Sequence, residues 1–183
     1  MPPKHSAERY GAGVIALHWL TLWLLVAVYA LIELRGIFPR GSDGYMAMKT
    51  WHFMLGLTVL ALLPIRLALR AAGGAATPIR PPMPSWQVRL AGVMHLALYA
   101  FLLAMPVLGW LTLGAQGKPV PFFGLALPAL VDADKALGHQ LEEIHETLGD
   151  IGYYLIGLHA AAALFHHYWA RDDTLRRMLP RRC

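Results

Sequence analysis

Residues 144–167, IHETLGDIGYYLIGLHAAAALFHH, decide the fold of this chain. The stretch is apolar and rich in small residues, and it carries His145 and His159, fourteen residues apart. Because fourteen residues make almost four helical turns, we expect both imidazoles on one helix face, about 21 Å apart along the axis. That separation is about two thirds of the hydrocarbon thickness of a bilayer. Histidines at membrane depth are costly and usually functional.

Four segments are long and apolar enough to cross a membrane, in a chain of 183 residues that is 57% hydrophobic and 15% charged. A soluble domain of this length carries roughly a quarter charged residues. The segments are approximately residues 14–34, 50–71, 90–113 and 147–170, which predicts an all-α membrane protein with one domain over residues 1–183. We do not expect the first segment to be a cleaved signal peptide, because it runs past about twenty residues and contains His18.

The basic residues divide unequally between the two sides of the predicted bundle. Of 16 lysines and arginines, 11 lie before helix one, around the second connection or after helix four, and five lie on the other side. This positive-inside bias predicts a multi-pass protein with both termini in the cytoplasm. The net charge of +5 then reflects topology, so we expect anionic lipid and no nucleic acid as a partner. The larger group is Lys4, Arg9, Arg66, Arg70, Arg80, Arg89, Arg171, Arg176, Arg177, Arg181 and Arg182.

Depth along the helices predicts how the histidines pair. Helix one places His18 near the cytoplasmic side and helix two places His52 near the outer side, so we expect an outer pair of His52 with His145. The inner pair is then His18 with His159, and His95, at the start of helix three, is the competitor for that position. Unpaired imidazoles in hydrocarbon would each cost some kcal/mol, whereas two haem irons with two axial histidines each would satisfy all four.

Zinc is the main alternative to haem as a partner of these histidines. Zinc prefers four tetrahedral ligands, often with cysteine or carboxylate, and this pattern offers two histidines at each level. The single cysteine, Cys183, excludes an internal disulfide and covalent haem attachment. Gly56, Gly149 and Gly157 leave space for a porphyrin, although small residues also serve plain helix packing in membranes. His5 and His139 are expected to be solvated.

The segments ALHWL, ELRGIFPR, IHETLG, GYYLIGLHAAAALFHHYW and LRRMLPR resemble the prokaryotic cytochrome b561 family, and the resemblance covers nearly the whole chain. It implies a four-helix bundle of the bacterial inner membrane that holds two b haems. It implies axial ligands at His18, His52, His145 and His159, although the surroundings of His52 (KTWHFMLG) depart from the family pattern. The resemblance is closest to members that pass electrons from superoxide to ubiquinone.

Three functions are open on these grounds. The first is an enzyme that feeds electrons from superoxide through two haems to ubiquinone. The second, also represented in the wider family, is a haem-bearing electron-transfer or anchor subunit for a dehydrogenase, hydrogenase or other redox protein. The third is a haem-free helical protein whose histidines pack or bind protons.

The superoxide interpretation predicts further site residues. Two axial histidines leave no open position on iron, so the haems would act as outer-sphere electron carriers. Cations near the outer haem would attract superoxide, whereas the acidic stretch from Asp132 to Glu146 opposes this unless it folds away. Arg66 and Arg70 are candidates for pairing with haem propionates, with snorkelling at the end of helix two an equally good alternative. The candidate steering residues are Arg35, Arg40, Lys49, Lys118 and Lys135, and the candidate quinone contacts are Trp19, His95, His166 and His167.

Overall fold

Four long helices dominate the computed structural model, which describes residues 9–73 and 78–179. They are α1 Ala12–Glu33, α2 Asp43–Ala72, α3 Ser85–Ala115 and α4 Lys135–Phe165. Each lies in a segment long and apolar enough to cross a membrane, so the predicted all-α fold with four transmembrane helices is confirmed. Lys4, His5, Arg181, Arg182 and Cys183 lie outside the described residues.

The helices pack in neighbouring pairs around an interior that is open in part. α1 runs along α2 and α3 runs along α4, and contacts between α2 and α3 join the two pairs, whereas α1 and α4 are more widely separated. Val59, Leu63 and Leu102 form a buried apolar cluster between α2 and α3. Many large apolar side chains are exposed on the outer surface, as expected when lipid surrounds the bundle. A cavity lined by residues of all four helices lies in this interior.

A β-hairpin that the sequence did not predict lies in the connection between α3 and α4. Strand β1, Val120–Phe122, pairs antiparallel with β2, Leu125–Leu127. The two residues between them, Phe123 and Gly124, have φ angles of 47° and 87°, which is the backbone of a type I′ turn. We call this end of the bundle the hairpin end.

Helix α4 begins earlier than the sequence predicted, at Lys135 instead of near residue 147. Asp134 is the N-cap, because its Oδ1 accepts hydrogen bonds from the backbone N–H groups of Ala136, at 2.9 Å, and Leu137, at 3.1 Å. No proline follows this cap before the apolar segment, so the helix continues into it. Most of the acidic stretch from Asp132 to Glu146 is therefore the first part of α4 itself.

The other end of the bundle is closed by the residues that follow α4. The helix continues into a π-helical turn, His166–Ala170, and Arg171 then adopts a left-handed backbone with φ 54°. Residues 171–179, which we call the strap, fold back across this end of the bundle. We call it the strap end. The backbone N–H of Asp173 donates to the carbonyl of Arg80 at 3.0 Å, so the strap joins the end of α4 to the connection before α3.

Candidate haem site

His52 on α2 and His145 on α4 face each other at the hairpin end, and together they form what we call the hairpin level. Their ring centres are 6.2 Å apart, with the ring planes at 77°. An iron held end-on between two imidazoles separates the ring centres by about 6 Å, given metal–nitrogen bonds of about 2 Å. The spacing therefore fits one metal ion between the two rings.

The hydrogen bonding of His52 also suits a metal ligand. Its Nδ1 lies 2.9 Å from the carbonyl of Val28 on α1, and donation to that oxygen leaves Nε2 free. A metal-bound histidine usually donates its other ring N–H to a carbonyl or carboxylate in this way. Nδ1 of His145 is buried, faces the carbonyl of Met105, and has no hydrogen-bond partner of normal geometry among the described residues.

A cavity of about 590 Å³ surrounds the hairpin level, within the usual range of about 300–1,000 Å³ for small-molecule and cofactor sites. Gly56, Gly109 and Gly149 line it. A Cβ at Gly56 would meet no atom within 4 Å, and one at Gly149 would only touch the Met105 side chain at 3.7 Å. The glycines at 56 and 149 therefore border open space, as a flat porphyrin requires.

Gly109 could not be recognised from the sequence, because it is one of several glycines in α3 and α3 itself carries no histidine near it. A Cβ there would lie 3.4 Å from Cε1 of His145. Its lack of a side chain lets that imidazole approach α3. Only the packing of α3 against α4 reveals this role.

Gly152, part of the same small-residue face of α4, serves a different purpose. A Cβ at this position would collide with the Tyr29 hydroxyl and the Phe101 ring. Tyr29 also donates from its hydroxyl to the carbonyl of Gly149 at 2.8 Å. The small residues of α4 thus divide into two groups, one bordering the cavity and one allowing close helix packing.

Three imidazoles lie together nearer the strap end, on α1, α3 and α4, and form the strap level. The ring centre of His159 is 6.3 Å from that of His18 and 5.6 Å from that of His95. The first spacing matches that of the hairpin level. The strap level therefore offers two alternative imidazole pairs that share His159.

Arg66 distinguishes the two candidate pairs, because it hydrogen-bonds to His18. Its Nη2 donates to Nδ1 of His18 at 3.0 Å, and its Cζ lies 5.8 Å from the ring centre of Tyr99. A His18 that accepts at Nδ1 carries its proton on Nε2, so ligation through Nε2 requires Arg66 to move. Arg70 instead lies over the Tyr10 ring, with 5.0 Å between Cζ and the ring centre. The two arginines, treated alike from the sequence, thus occupy different surroundings.

The four candidate quinone contacts differ in their exposure and in whether their ring nitrogens already have hydrogen-bond partners. The indole N–H of Trp19 donates to the strap carbonyl of Met178 at 2.7 Å. His95 is exposed, and Nδ1 of His167 is buried without a hydrogen-bond partner in the described part of the chain. Nδ1 of His166 lies 2.6 Å from Oδ2 of Asp172.

Asp172 is a further residue that sequence reasoning missed. Its side chain is buried in the strap, with the residue 4% exposed. Burial by itself would raise the pKa of this carboxyl, but hydrogen bonds from Thr174 and His166 outweigh burial and hold the pKa below its ordinary value. The sequence shows only two adjacent aspartates after a helix, which gives no sign that one of them is buried against a histidine.

Charges of both signs line the cavity at the hairpin level. Of the five predicted steering cations, Arg35, Lys49 and Lys118 line it, whereas Arg40 and Lys135 do not. The acidic stretch does not fold away, since Glu142 and Glu146 line the same cavity. The lining carboxylates are Glu33, Glu142, Glu146 and Asp150.

Several of these charged side chains already have hydrogen-bond partners within the protein. Nζ of Lys118 donates to Oε1 of Gln116 at 2.7 Å, and Nε2 of Gln116 donates to Oε2 of Glu142 at 2.8 Å. Arg35 donates to the carbonyl of Ile32.

His139, predicted to be solvated, has a side chain that is 73% exposed and lies 3.5 Å from Glu143.

Zinc is not supported by the donor arrangement. Within residues 9–73 and 78–179, no group of three or more histidine, cysteine, aspartate or glutamate side chains is arranged to hold a metal ion. A structural zinc site needs four such donors. Opposed pairs of imidazoles suit the two axial positions of a haem.

Opposed imidazoles at two levels of a membrane-spanning bundle suit a membrane cytochrome. The family model of prokaryotic cytochrome b561 matches residues 9–181, and the chain belongs to this family, as its sequence motifs predicted. It is therefore a multi-pass membrane protein for electron transfer, of the oxidoreductase type and with b-type haem.

Three relatives match along nearly their whole length. Cytochrome b561 homolog 1 of Escherichia coli K12 is 41% identical over 175 residues, which cover 96% of this chain and 99% of the relative. Probable superoxide oxidase CybB of Yersinia pestis is 37% identical over 176 residues, covering 96% and 98%. Cytochrome b561 homolog 2 of Escherichia coli K12 is 32% identical over 179 residues, covering 96% and 93%.

Proposed function

We propose that this chain is a di-haem oxidoreductase of the bacterial inner membrane that passes electrons from superoxide to ubiquinone. Superoxide is oxidised at the hairpin end, in the periplasm, and ubiquinone is reduced near the strap end, on the cytoplasmic side that holds both termini. The observation that carries the proposal is the pair of imidazole levels, with ring centres 6.2 and 6.3 Å apart. Superoxide as donor is supported by the name of the Yersinia pestis relative.

The proposed ligands are His52 and His145 for one haem and His18 and His159 for the other. When bound, haem supplies reversible one-electron transfer. Two histidines per iron leave no coordination position for oxygen, so these residues restrict the site to electron transfer through the porphyrin. His95 is the competitor of His18 for the second haem, and Arg66 and Arg70 are the proposed partners of haem propionates.

At the hairpin end the proposed task of the protein is to attract a small anion. Arg35 and Lys49 are the lining cations best placed for this, because Lys118 is joined to Glu142 through Gln116. A positive rim raises the arrival rate of an anion, and salt screens the effect.

At the acceptor end the chemistry requires protons. Two superoxide ions each lose one electron and leave as dioxygen, and one ubiquinone gains two electrons and two protons. Ring nitrogens of His95, His166 and His167 and the indole of Trp19 are the groups proposed to contact the quinone. The basic residues at this end also suit contact with anionic lipid.

The test is stopped-flow mixing of superoxide with the oxidised, purified protein, with and without a short-chain ubiquinone. We expect the reduced b-type haem spectrum to appear with superoxide, to be abolished by superoxide dismutase, and to decay again when ubiquinone is present. Haem that stays oxidised in the presence of superoxide would contradict superoxide as the donor. Haem that is reduced but not reoxidised by ubiquinone would contradict the acceptor.

A second function is favoured by one observation, the four carboxylates that line the cavity beside the three cations. An acidic rim suits a basic redox protein better than an anion, as expected of an electron-transfer or anchor subunit for a dehydrogenase or hydrogenase. Electron exchange with a basic soluble cytochrome, used as a probe, separates the two functions. A rate that falls steeply with salt for this probe, while superoxide leaves the haem oxidised, would favour the second function.

A further inference from the structure

Asp172 and His166 form a buried pair at the strap end. Oδ2 of Asp172 lies 2.6 Å from Nδ1 of His166, and Oδ1 accepts from the backbone N–H of Thr174 at 2.9 Å. The backbone N–H of Asp172 in turn donates to the carbonyl of His166 at 3.1 Å. The side chains of both residues are largely buried, at 12% exposure for His166 and 3% for Asp172. The carboxylate is thus held against the imidazole by backbone and side-chain contacts together.

The backbone around this pair is unusual at two points. His166 begins the π-helical turn at the end of α4, and Arg171 has a left-handed φ of 54° although it is not glycine. π-turns are rare and frequently occur at functional sites, and a left-handed backbone at a non-glycine residue has an energetic cost. Together they turn the chain back, so that a residue six positions further on reaches His166.

The neighbouring aspartate has a different task. Oδ2 of Asp173 pairs with Nη2 of Arg177 at 2.9 Å, and Oδ1 accepts from the backbone N–H of Arg80 at 3.0 Å. Asp173 therefore fastens the strap to the connection before α3. Of two adjacent carboxylates, one anchors the strap and the other faces an imidazole.

The geometry determines which nitrogen of His166 can exchange a proton with a ligand. Nδ1–H donates to the carboxylate, so Nε2 is the nitrogen that remains for a second partner. An ionised carboxylate at Nδ1 fixes the tautomer and stabilises the imidazolium when Nε2 is protonated. His166 lies seven residues after His159, about 10 Å further along the helix. The pair thus lies between the strap level and the aqueous phase.

We propose that His166 donates a proton from Nε2 to the quinone oxygen and that Asp172 is the positioning residue that holds His166 for this step. The inference rests on the acceptor half of the proposed function. As the quinone gains its electrons, the Nε2–H bond of His166 breaks and an O–H bond forms on one quinone oxygen, while the second quinone oxygen takes its proton from water. The neutral imidazole then takes a new proton from water at the strap end, while Asp172 stays ionised.

The test isolates the acceptor step from the donor. Haem-loaded protein is reduced with dithionite, freed of excess reductant and mixed anaerobically with a short-chain ubiquinone at several concentrations. For Asp172→Asn we expect the maximal rate of haem reoxidation to fall by tenfold or more, since positioned acid–base groups contribute about 10²–10⁴-fold. The quinone concentration at half-maximal rate should stay unchanged, and Asp172→Glu should recover part of the rate.

Two comparisons separate proton transfer from structural support. Asp173→Asn, which weakens the strap without touching His166, should reoxidise like the unaltered protein. His166→Gln should lose at least as much rate as Asp172→Asn, and the double variant should lose no more than His166→Gln alone. Haem content is measured for each protein, and if Asp172→Asn loses haem, Asp172→Glu and His166→Gln carry the comparison.

Three results would overturn the inference. They are an unchanged maximal rate in Asp172→Asn, an equal loss in Asp173→Asn, and losses that multiply in the double variant. If the unaltered protein is not reoxidised by ubiquinone, the acceptor half of the proposed function fails and the inference fails with it. Failure of superoxide to reduce the haem leaves this test unaffected, because dithionite supplies the electrons.

Discussion

The hairpin level and the strap level hold their histidines in different ways. At the hairpin level two imidazoles face each other across a glycine-lined cavity, and His52 has its Nδ1 beside a carbonyl. At the strap level three imidazoles share the space, and Arg66 donates to one of them. Depth along the helices is enough to pair histidines when each level has two of them. It is not enough when a third histidine reaches the same level.

The largest expected effect is the loss of one haem when the hairpin level is broken. In His145→Ala no partner remains opposite His52, so this haem should be lost while the strap level keeps its own. The haem-to-protein ratio should fall by about half, since two irons with two histidines each are proposed. The pyridine haemochrome assay measures it. Equal loss from both levels, in protein that is still folded, would contradict separate sites.

The strap level calls for a paired experiment on His18 and His95. Because His18 is the proposed partner of His159, His18→Ala should lose the second haem and His95→Ala should retain it. Each variant serves as the control for the other, since both remove one imidazole from the same level. Haem content and low-temperature electron paramagnetic resonance report which pair binds. Loss of the haem in His95→Ala alone would assign the ligand role to His95.

Substitution of two glycines of the bundle should change different properties, the stability of the protein at Gly152 and the haem content at Gly56. Gly152→Ala places a methyl group against Tyr29 and Phe101, so we expect destabilisation of about 1–3 kcal/mol from overpacking. Gly56→Leu extends into open cavity space, so haem content should fall with little steric cost to the helices. Thermal unfolding followed by circular dichroism, together with haem content, separates the two effects. Normal haem content in Gly56→Leu would show that the porphyrin does not pass this glycine.

The smallest expected effect is on the arrival of superoxide. Replacing Arg35 and Lys49 with glutamine removes two lining cations, so haem reduction by superoxide should slow by a few fold at low salt. The difference should shrink at about 0.5 M salt because of screening. Arg40→Gln is the matched control, since Arg40 does not line the cavity. Equal rates for all variants in stopped-flow measurements at low salt would remove the steering role.

The parts of the fold and of the site that could be predicted follow from hydropathy and from the positions of the histidines along the helices. Long apolar segments predicted four helices because lipid forbids unpaired backbone, and the histidine positions placed His52 beside the level of His145. The start of α4 was misplaced because hydropathy marks the lipid-facing part of a helix and not its N-cap at Asp134. The hairpin was missed because its strands are three residues long.

The sequence by itself determined the membrane class, the number of spans, the family and the histidines that lie at two depths, since periodicity and hydropathy are properties of the chain. Only the tertiary structure decided the contacts between helices. It placed Gly109 against His145, Arg66 against His18 and Asp172 against His166. It also brought Glu142 and Glu146 to the same cavity as Arg35. The physical reason is that such contacts depend on the rotation and separation of neighbouring helices, which no local pattern of residues encodes.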